Sequence, residues 1–345
     1  MPDRIDIEGY LDRWVSKAHG SRDVADTILG LVAACREIAA LVRKGPLSGK
    51  LGELTGRKSG VDPQKEIDIV ANDLVRDAMR AAPVQHFASE EVEEAVTLAP
   101  GAPLAVAVDP IDGSSNVDAN IPLGTIFTIL PVRGVTPDAS FRQPGSAQLG
   151  AGFVVYGPYT SLVMTVGMGT QIFTHDPDSG RFIRTVHSVG IPPITNEYAI
   201  NTSNIRHWEQ CVRIYVDDLV RGREGPRGKD FNMRWTATPV ADLYRILNRG
   251  GIFLYPGDRR EGYALGRLRL VYEANPIAFV VEQAGGAATN GLARILDIEP
   301  ASVHQRTPIF AGSKAEVDYV TRLHSEPHGP GELSPLFGRR GLFRT

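Results

Sequence analysis

The sharpest chemical signal in the sequence is the run Asp109-Pro110-Ile111-Asp112-Gly113-Ser114-Ser115-Asn116. The apolar stretch before it, LAVAVDP at 104–110, reads as a buried strand that delivers Asp109 to its C-terminal end. The turn that follows brings Asp112 back beside it. Carboxylates gathered this way, with a backbone carbonyl between them, are hard oxygen ligands suited to magnesium. Gly113-Ser114-Ser115 would then open a helix whose free N–H groups face a phosphate. The same residues also suit an Asx-type turn that caps a helix, so the run alone leaves both readings open.

Two more acidic places bear on the choice. Glu90-Glu91 follow the strand-like VQHFAS at 84–89, and Glu273 follows a segment, Leu268–Tyr272, whose pattern predicts a strand. Each taken singly is an ordinary solvated charge. Together, all after strands, they supply the several carboxylates that metals about 3.5–4 Å apart require. Arg267 and Arg269 alternate with Leu268 and Leu270, which places both on the polar face of that expected strand. Guanidinium forks suit phosphate oxygens.

The elements that must position these groups alternate between helix and strand. Residues 5–19 read as a short helix or arm, and helical spacing of apolar residues runs from Val24 to Val42, ended by Gly45-Pro46. Residues 47–60 carry four glycines with Lys50, Arg57 and Lys58 and read as a mobile loop; 65–80 is helical again. TIFTILPV at 125–132 and the segments AGFVVYG, TSLVMTVG and QIFTH predict strands separated by turns. From about residue 190 the order is strand EYAIN, helices near 205–221 and 238–248, strand GIFLYP, and a helical run from Ala278 to Gly285-Gly286. Mixed strands with flanking helices imply a layered α/β sandwich. The expected division is an N-terminal α/β domain over 1–190, a C-terminal α/β domain over 191–323 and a tail over 324–345.

The bulk properties set limits. The chain has 345 residues and a formal charge of -3, so no long-range field draws nucleic acid or acidic lipid, while a local basic pocket remains open. Its 2 cysteines, Cys35 and Cys211, suggest a reducing compartment, with Cys35 expected as a buried small hydrophobe. MPDRIDIEGY has no apolar signal core, and no stretch approaches the ~20 apolar residues of a membrane span, so the expected location is the cytoplasm.

Taken in order, IDIVAND at 67–73, SEE at 89–91, DPIDGSSN at 109–116, GTIF at 124–127, GGIFLYP at 250–256, RLRLVYEANP at 267–276, EQAGG at 282–286 and HQRTPIF at 304–310 resemble the class I fructose-1,6-bisphosphatases, in their bacterial form. DPIDGSSN by itself would also admit the wider inositol-phosphatase-like superfamily. The resemblance implies an α-β-α-β-α sandwich, hydrolysis of fructose 1,6-bisphosphate, and two or more Mg2+ per subunit, with Mn2+ as a substitute. It implies metal ligation by Glu90, Glu91, Asp109, the Ile111 carbonyl, Asp112 and Glu273, and activation of water by Asp62 with Glu91. Asp112, Gly113, Ser114, Ser115 and Arg269 would cradle the reacting end of the substrate, and Asn201, Arg234, Trp235, Tyr255 and Arg267 the far phosphate. Arg234 would reach a neighbouring active site in a homotetramer. Eukaryotic members carry Tyr where this chain has Asn204 and Trp235, and Lys where it has Arg267, so far-phosphate binding is remodelled. SRDVADT at 21–27 lacks the Gly-Thr-Gly-Glu turn of AMP-inhibited members, and the cysteine insertion of light-regulated forms is missing. Sedoheptulose 1,7-bisphosphate is an alternative or additional substrate. A non-catalytic phosphosugar-binding protein would have lost a metal carboxylate, and the set from Asp62 to Glu273 is intact.

Overall fold

The computed structural model describes residues 5–17, 20–49, 51–59 and 62–326, with the backbone alone for 57–59, 62 and 63. The expected tail falls almost entirely at 327–345, outside the described residues. The helices are α1 (Ile7–Ser16), α2 (Arg22–Lys44), α3 (Glu66–Arg80), α4 (Pro137–Phe141), α5 (Gln210–Val220), α6 (Pro239–Arg249), α7 (Asn275–Gln283) and α8 (Lys314–Ser325). The first ten strands are β1 (Leu54–Ser59), β2 (Asp62–Lys65), β3 (Val84–Ser89), β4 (Val96–Thr97), β5 (Leu104–Asp112), β6 (Leu123–Pro131), β7 (Gly150–Tyr156), β8 (Thr160–Thr165), β9 (Thr170–His175) and β10 (Phe182–Val186). The rest are β11 (Glu197–Ala199), β12 (Asn232–Met233), β13 (Ile252–Tyr255), β14 (Ala287–Thr289) and β15 (Ile309–Gly312).

An eight-stranded sheet has the order β10-β9-β8-β7-β6-β5-β3-β4, antiparallel throughout except for the parallel pair β3 and β5. A five-stranded mixed sheet has the order β12-β11-β13-β15-β14. The side-chain period of two sorts the large sheet's residues between two cores. Val154 and Phe127 join Ile28, Leu31, Val75 and Met79 beneath α1 to α3. Their neighbours Phe153, Val155 and Ile126 pack on α6 and α7, whose opposite side receives Phe253, Ile309 and Ala311 of the small sheet. Tyr198, Ile252, Leu254 and Phe310 of the small sheet's outer face meet α5 and α8. The stack is therefore α-β-α-β-α, as the resemblance implies. Because the central strands are covered on both faces, β5 is buried at every position, which is why it reads as a continuous apolar run.

Two expectations change. The glycine-rich segment at 47–60 holds β1, which pairs antiparallel with β2 in a two-stranded hairpin. The strand expected over Leu268–Tyr272 begins as one, with Thr307 N–H donating to the Leu268 carbonyl and Leu270 N–H to that of Gln305. It then winds into a π-helical turn over Leu270–Ala274. Leu270 and Ala274, four apart, face the interlayer core, while Val271 and Tyr272 enter a separate cluster with Ala105 and Ala107. That spacing needs a helical turn, and it overrides the local alternation.

The small sheet closes through a backbone contact that admits no side chain. Gly312 has φ +144°, and a Cβ there would sit 2.2 Å from the Gly251 carbonyl oxygen. Gly312→Ala should therefore strain or part β13 and β15 and cost about 3 kcal/mol. Urea unfolding measures this directly, and a midpoint equal to that of the parent protein would show that the contact can relax.

Candidate active site

β3 and β5 run parallel with Ser89 beside Val108, so Glu90 and Asp109 leave neighbouring strands at their C-terminal ends, where open α/β sheets commonly place ligands. The Glu90 N–H donates to the Val108 carbonyl at 2.9 Å, which fixes its backbone against β5. Glu273 arrives from the π-helical turn. Ala274 N–H donates to the Arg269 carbonyl at 3.0 Å to close that turn, and the Glu273 carboxylate accepts from the Arg269 N–H at 2.6 Å. π-turns recur at functional sites because they re-aim a side chain without ending the helix. Carboxylate oxygens of Glu90, Asp109 and Glu273 lie within 4.8 Å of one another. The Arg269 guanidinium forms an ion pair with Glu90.

Four carboxylates in this region are buried: Asp68 at 2% exposure, Asp109 at 2%, Asp112 at 4% and Glu273 at 4%. Burial, followed by the charges of Asp112, Glu273, Glu91 and Asp68, holds the Asp109 carboxyl well above the usual carboxylate range. Asp112 is raised by burial and by Glu273 and Asp242, against the lowering effect of its bond from Val240 N–H. That bond, 3.0 Å to Asp112 Oδ2, caps the first turn of α6 from the end of β5. Gly124 makes the approach possible, since a Cβ there would meet Val240 Cγ2 at 2.4 Å.

Glu91 lies outside the close trio; Gln64 Nε2 donates to its carbonyl at 2.8 Å and to its carboxylate at 2.5 Å. Asp62 opens β2, and its side chain lies outside the described residues. Ile111 sits one step beyond Asp109, with its N–H donating to Asp109 Oδ1 at 3.1 Å. Gly113 takes φ +79° and precedes a six-residue 3-10 helix, Ser114–Ala119, rather than an α-helix. Asn116 staples this turn to the start of α6 through bonds to Thr238 Oγ1 at 2.9 Å and the Ala237 carbonyl at 3.1 Å. Arg269, expected on the polar face of a strand opposite the core, is buried and joined to the carboxylates.

Asn201, Trp235, Tyr255 and Arg267 line one cavity of about 150 Å³ together with Asn204. Asn201 Oδ1 accepts from Ser203 N–H and Oγ, which steadies the turn it begins. Trp235 stacks on Phe253 with ring centroids 6.0 Å apart. The Arg267 guanidinium lies over the Tyr263 ring at 5.3 Å. Arg234 is exposed and does not line this cavity; its N–H donates to the Tyr198 carbonyl at 2.8 Å. The cavity and the carboxylates are within electrostatic reach of each other, because Glu273 and Asp112 both help burial raise the Tyr255 hydroxyl.

Three residues of this region were not singled out from sequence. Asp68 sits in the first turn of α3 and accepts from Lys65 N–H at 2.7 Å, while burial raises its carboxyl and the Ser114 hydroxyl opposes that rise. Its signal was an acidic residue between Ile67 and Ala71 on the buried stripe of a helix. Asp258 and Arg260, paired with each other, also line the cavity. Nothing in their spacing sets them apart from surface charges.

An acidic trio with Asp109 and Glu273 buried, Glu90 half-buried and raised carboxyls alongside is a donor set that fits a divalent cation, since oxygen-rich, negatively charged cages suit magnesium. Millimolar Mg2+ should raise the melting temperature over that in EDTA. Glu273→Gln keeps an oxygen acceptor for Arg269 N–H while removing one charge, so it should raise the EDTA melting temperature by a few degrees and abolish the Mg2+ effect. Thermal unfolding in the two buffers checks both, and an unchanged Mg2+ response in the variant would remove Glu273 from the ligand set.

Comparison with known proteins agrees with this geometry. Residues 10–187 match the family described as "Fructose-1-6-bisphosphatase, N-terminal domain", and residues 191–325 match "Fructose-1-6-bisphosphatase, C-terminal domain". Similar proteins include the "Fructose-1,6-bisphosphatase class 1" of Sinorhizobium medicae, 53% identical over 98% of this chain and 99% of that one. That of Methylorubrum populi is 49% identical over 100% of this chain and 99% of its own. Among solved structures, Leishmania major fructose-1,6-bisphosphatase in holo form superposes with a TM-score of 0.86 at 31% identity, covering 94% of this chain and 100% of that one. The chain therefore belongs to the class 1 fructose-1,6-bisphosphatase family and is a phosphatase.

Proposed function

We propose that this phosphatase removes the 1-phosphate of D-fructose 1,6-bisphosphate, leaving D-fructose 6-phosphate and inorganic phosphate, in gluconeogenesis or the Calvin cycle. The observation that carries the reading is one acidic trio beside one arginine- and asparagine-lined cavity, a pairing suited to two anionic ends of one small molecule. The three trio residues, with Glu91, Asp112 and the Ile111 carbonyl, would hold Mg2+. Bound there, the metal supplies charge neutralisation for phosphate oxygens and a lowered pKa for water.

The chain's own residues do the rest by placement, since phosphoryl transfer depends on positioning and electrostatics more than on covalent chemistry. Arg269 and the Gly113-Ser114-Ser115 turn orient the reacting phosphate. Glu91, steadied by Gln64, accepts the proton of the attacking water together with Asp62. Asn201, Trp235, Tyr255 and Arg267 hold the far phosphate. Arg234, exposed outside its own chain's cavity, is left to serve a neighbouring subunit of a homotetramer.

Phosphate release from fructose 1,6-bisphosphate and sedoheptulose 1,7-bisphosphate, each with Mg2+ and with EDTA, tests the reading. Mg2+-dependent release from the fructose compound is expected, and equal rates on both would widen the substrate range to the seven-carbon sugar. No release from either by folded protein with Mg2+ present would sink the assignment. Arg267→Ala should raise KM for the bisphosphate about 10- to 100-fold, the loss of a charged hydrogen-bonding pair, with a smaller change in kcat. Steady-state kinetics reads the split, and an unchanged KM would take Arg267 out of the far-phosphate site.

A further inference from the structure

One peptide group inside the carboxylate turn is held at both ends. The Ile111 N–H donates to Asp109 Oδ1 at 3.1 Å. The carbonyl of the same peptide unit, that of Pro110, accepts from Thr125 Oγ1 at 2.7 Å. Thr125 is fully buried on β6, and its Oγ1 is also 2.8 Å from the hydroxyl of Tyr156 on β7. A hydroxyl has one proton to give, and that of Thr125 goes to a carbonyl that can only accept. Tyr156 must therefore be the donor to Thr125. The chain has one direction: Tyr156 O–H to Thr125, Thr125 O–H to the Pro110 carbonyl, and Ile111 N–H to Asp109.

The register of β5 explains why a side chain is used here. Pairing with β6 passes from Asp109 opposite Ile126 to Asp112 opposite Gly124, with a shift between them. Three steps on β5 thus oppose two on β6, the signature of a bulge, whose extra residue leaves the ladder. The bulge is what turns Asp109 and Asp112 toward one site, and it also frees the Pro110–Ile111 peptide from the strand pairing that would fix its plane. Thr125 replaces that pairing from the adjacent strand. As a β-branched residue it has few rotamers to lose, and serial hydrogen bonds polarise one another, so the Ile111 N–H becomes a better donor to Asp109.

We propose that Thr125, backed by Tyr156, is a positioning residue for Asp109: it locks the Pro110–Ile111 peptide plane and through it aims the Asp109 carboxylate at Glu90 and Glu273. The inference rests on the reading of that trio as a divalent-cation site. Neither hydroxyl belongs to the trio. Their effect passes through the peptide, in the way outer partners orient metal-binding side chains.

The test is Mn2+ binding by isothermal titration calorimetry on the full chain without substrate, with circular dichroism and melting in EDTA as a check on folding. Thr125→Val keeps the shape and removes the donor; its Mn2+ dissociation constant should rise about tenfold. Thr125→Ser restores the hydroxyl and should return it to within about twofold of the parent value, while Tyr156→Phe should weaken binding about threefold. A folded Thr125→Val protein with parental Mn2+ affinity would overturn the inference and leave the cation site standing, as would a serine variant as weak as the valine one. If Thr125→Val does not fold, Tyr156→Phe decides, and parental affinity there overturns it. Absence of Mn2+ binding by the unsubstituted protein would overturn the cation reading itself, and this inference with it.

Discussion

The constraint on which this structure depends is the crowding of buried like charges at the ends of β3 and β5. Asp68, the pair Asp109 and Asp112, and Glu273 come from three separate stretches of chain, and their repulsion in a low-dielectric interior opposes the fold that assembles them. Within the chain the opposition is met by Arg269, which touches both Glu90 and, through its backbone N–H, Glu273. Hydrogen bonds from Val240, Ile111 and Lys65 N–H groups hold three of the other carboxylates in place. The region is organised to keep negative charge where it is costly, which is the usual mark of a site that a cation and a reacting group complete.

The layers around it serve that purpose. Closing both faces of the large sheet excludes water from β5 and β6 and gives the carboxylates a rigid base. Inserting α6 between the sheets brings a helix N-terminus to Asp112, and it does so only because Gly124 leaves room for Val240. The Asn116 staple ties the 3-10 turn after Gly113 to the same helix start. The turn that would cradle a phosphate and the element that links the two sheets are therefore one mechanical unit.

The cavity beyond is built on different terms. Its walls come from the small sheet and the loop after β13, with aromatic rings beneath and arginines at the rim. Arg260 and Arg267 lie against the Tyr263 ring, so their charge rests on an aromatic face, with Asp258 also pairing Arg260. The acidic cluster and the arginine-rimmed cavity are thus built in unlike ways.

The sequence by itself determined the local pieces whose signal is continuous along the chain. The apolar run into Asp109, the helical stripe from Val24 to Val42 and the turn chemistry of Asp112-Gly113 each depend on neighbours within a few residues, and each could be read directly. The order of its motifs was enough to give the family and the layered architecture. Tertiary structure alone decided what depends on partners far away in sequence. RLRLVYEANP alternates like a strand, yet two distinct cores claim its apolar residues four apart and wind it into a π-turn. Arg269 was consequently drawn from an expected polar face into the acidic cluster. Asp68 looked like one more helical charge because the burial that raises its carboxyl, and Asp109, whose carboxyl it helps to raise, belong to other segments. The tie from Thr125 to Pro110 was invisible for the same reason, since a bulge exists only once two strands are in register.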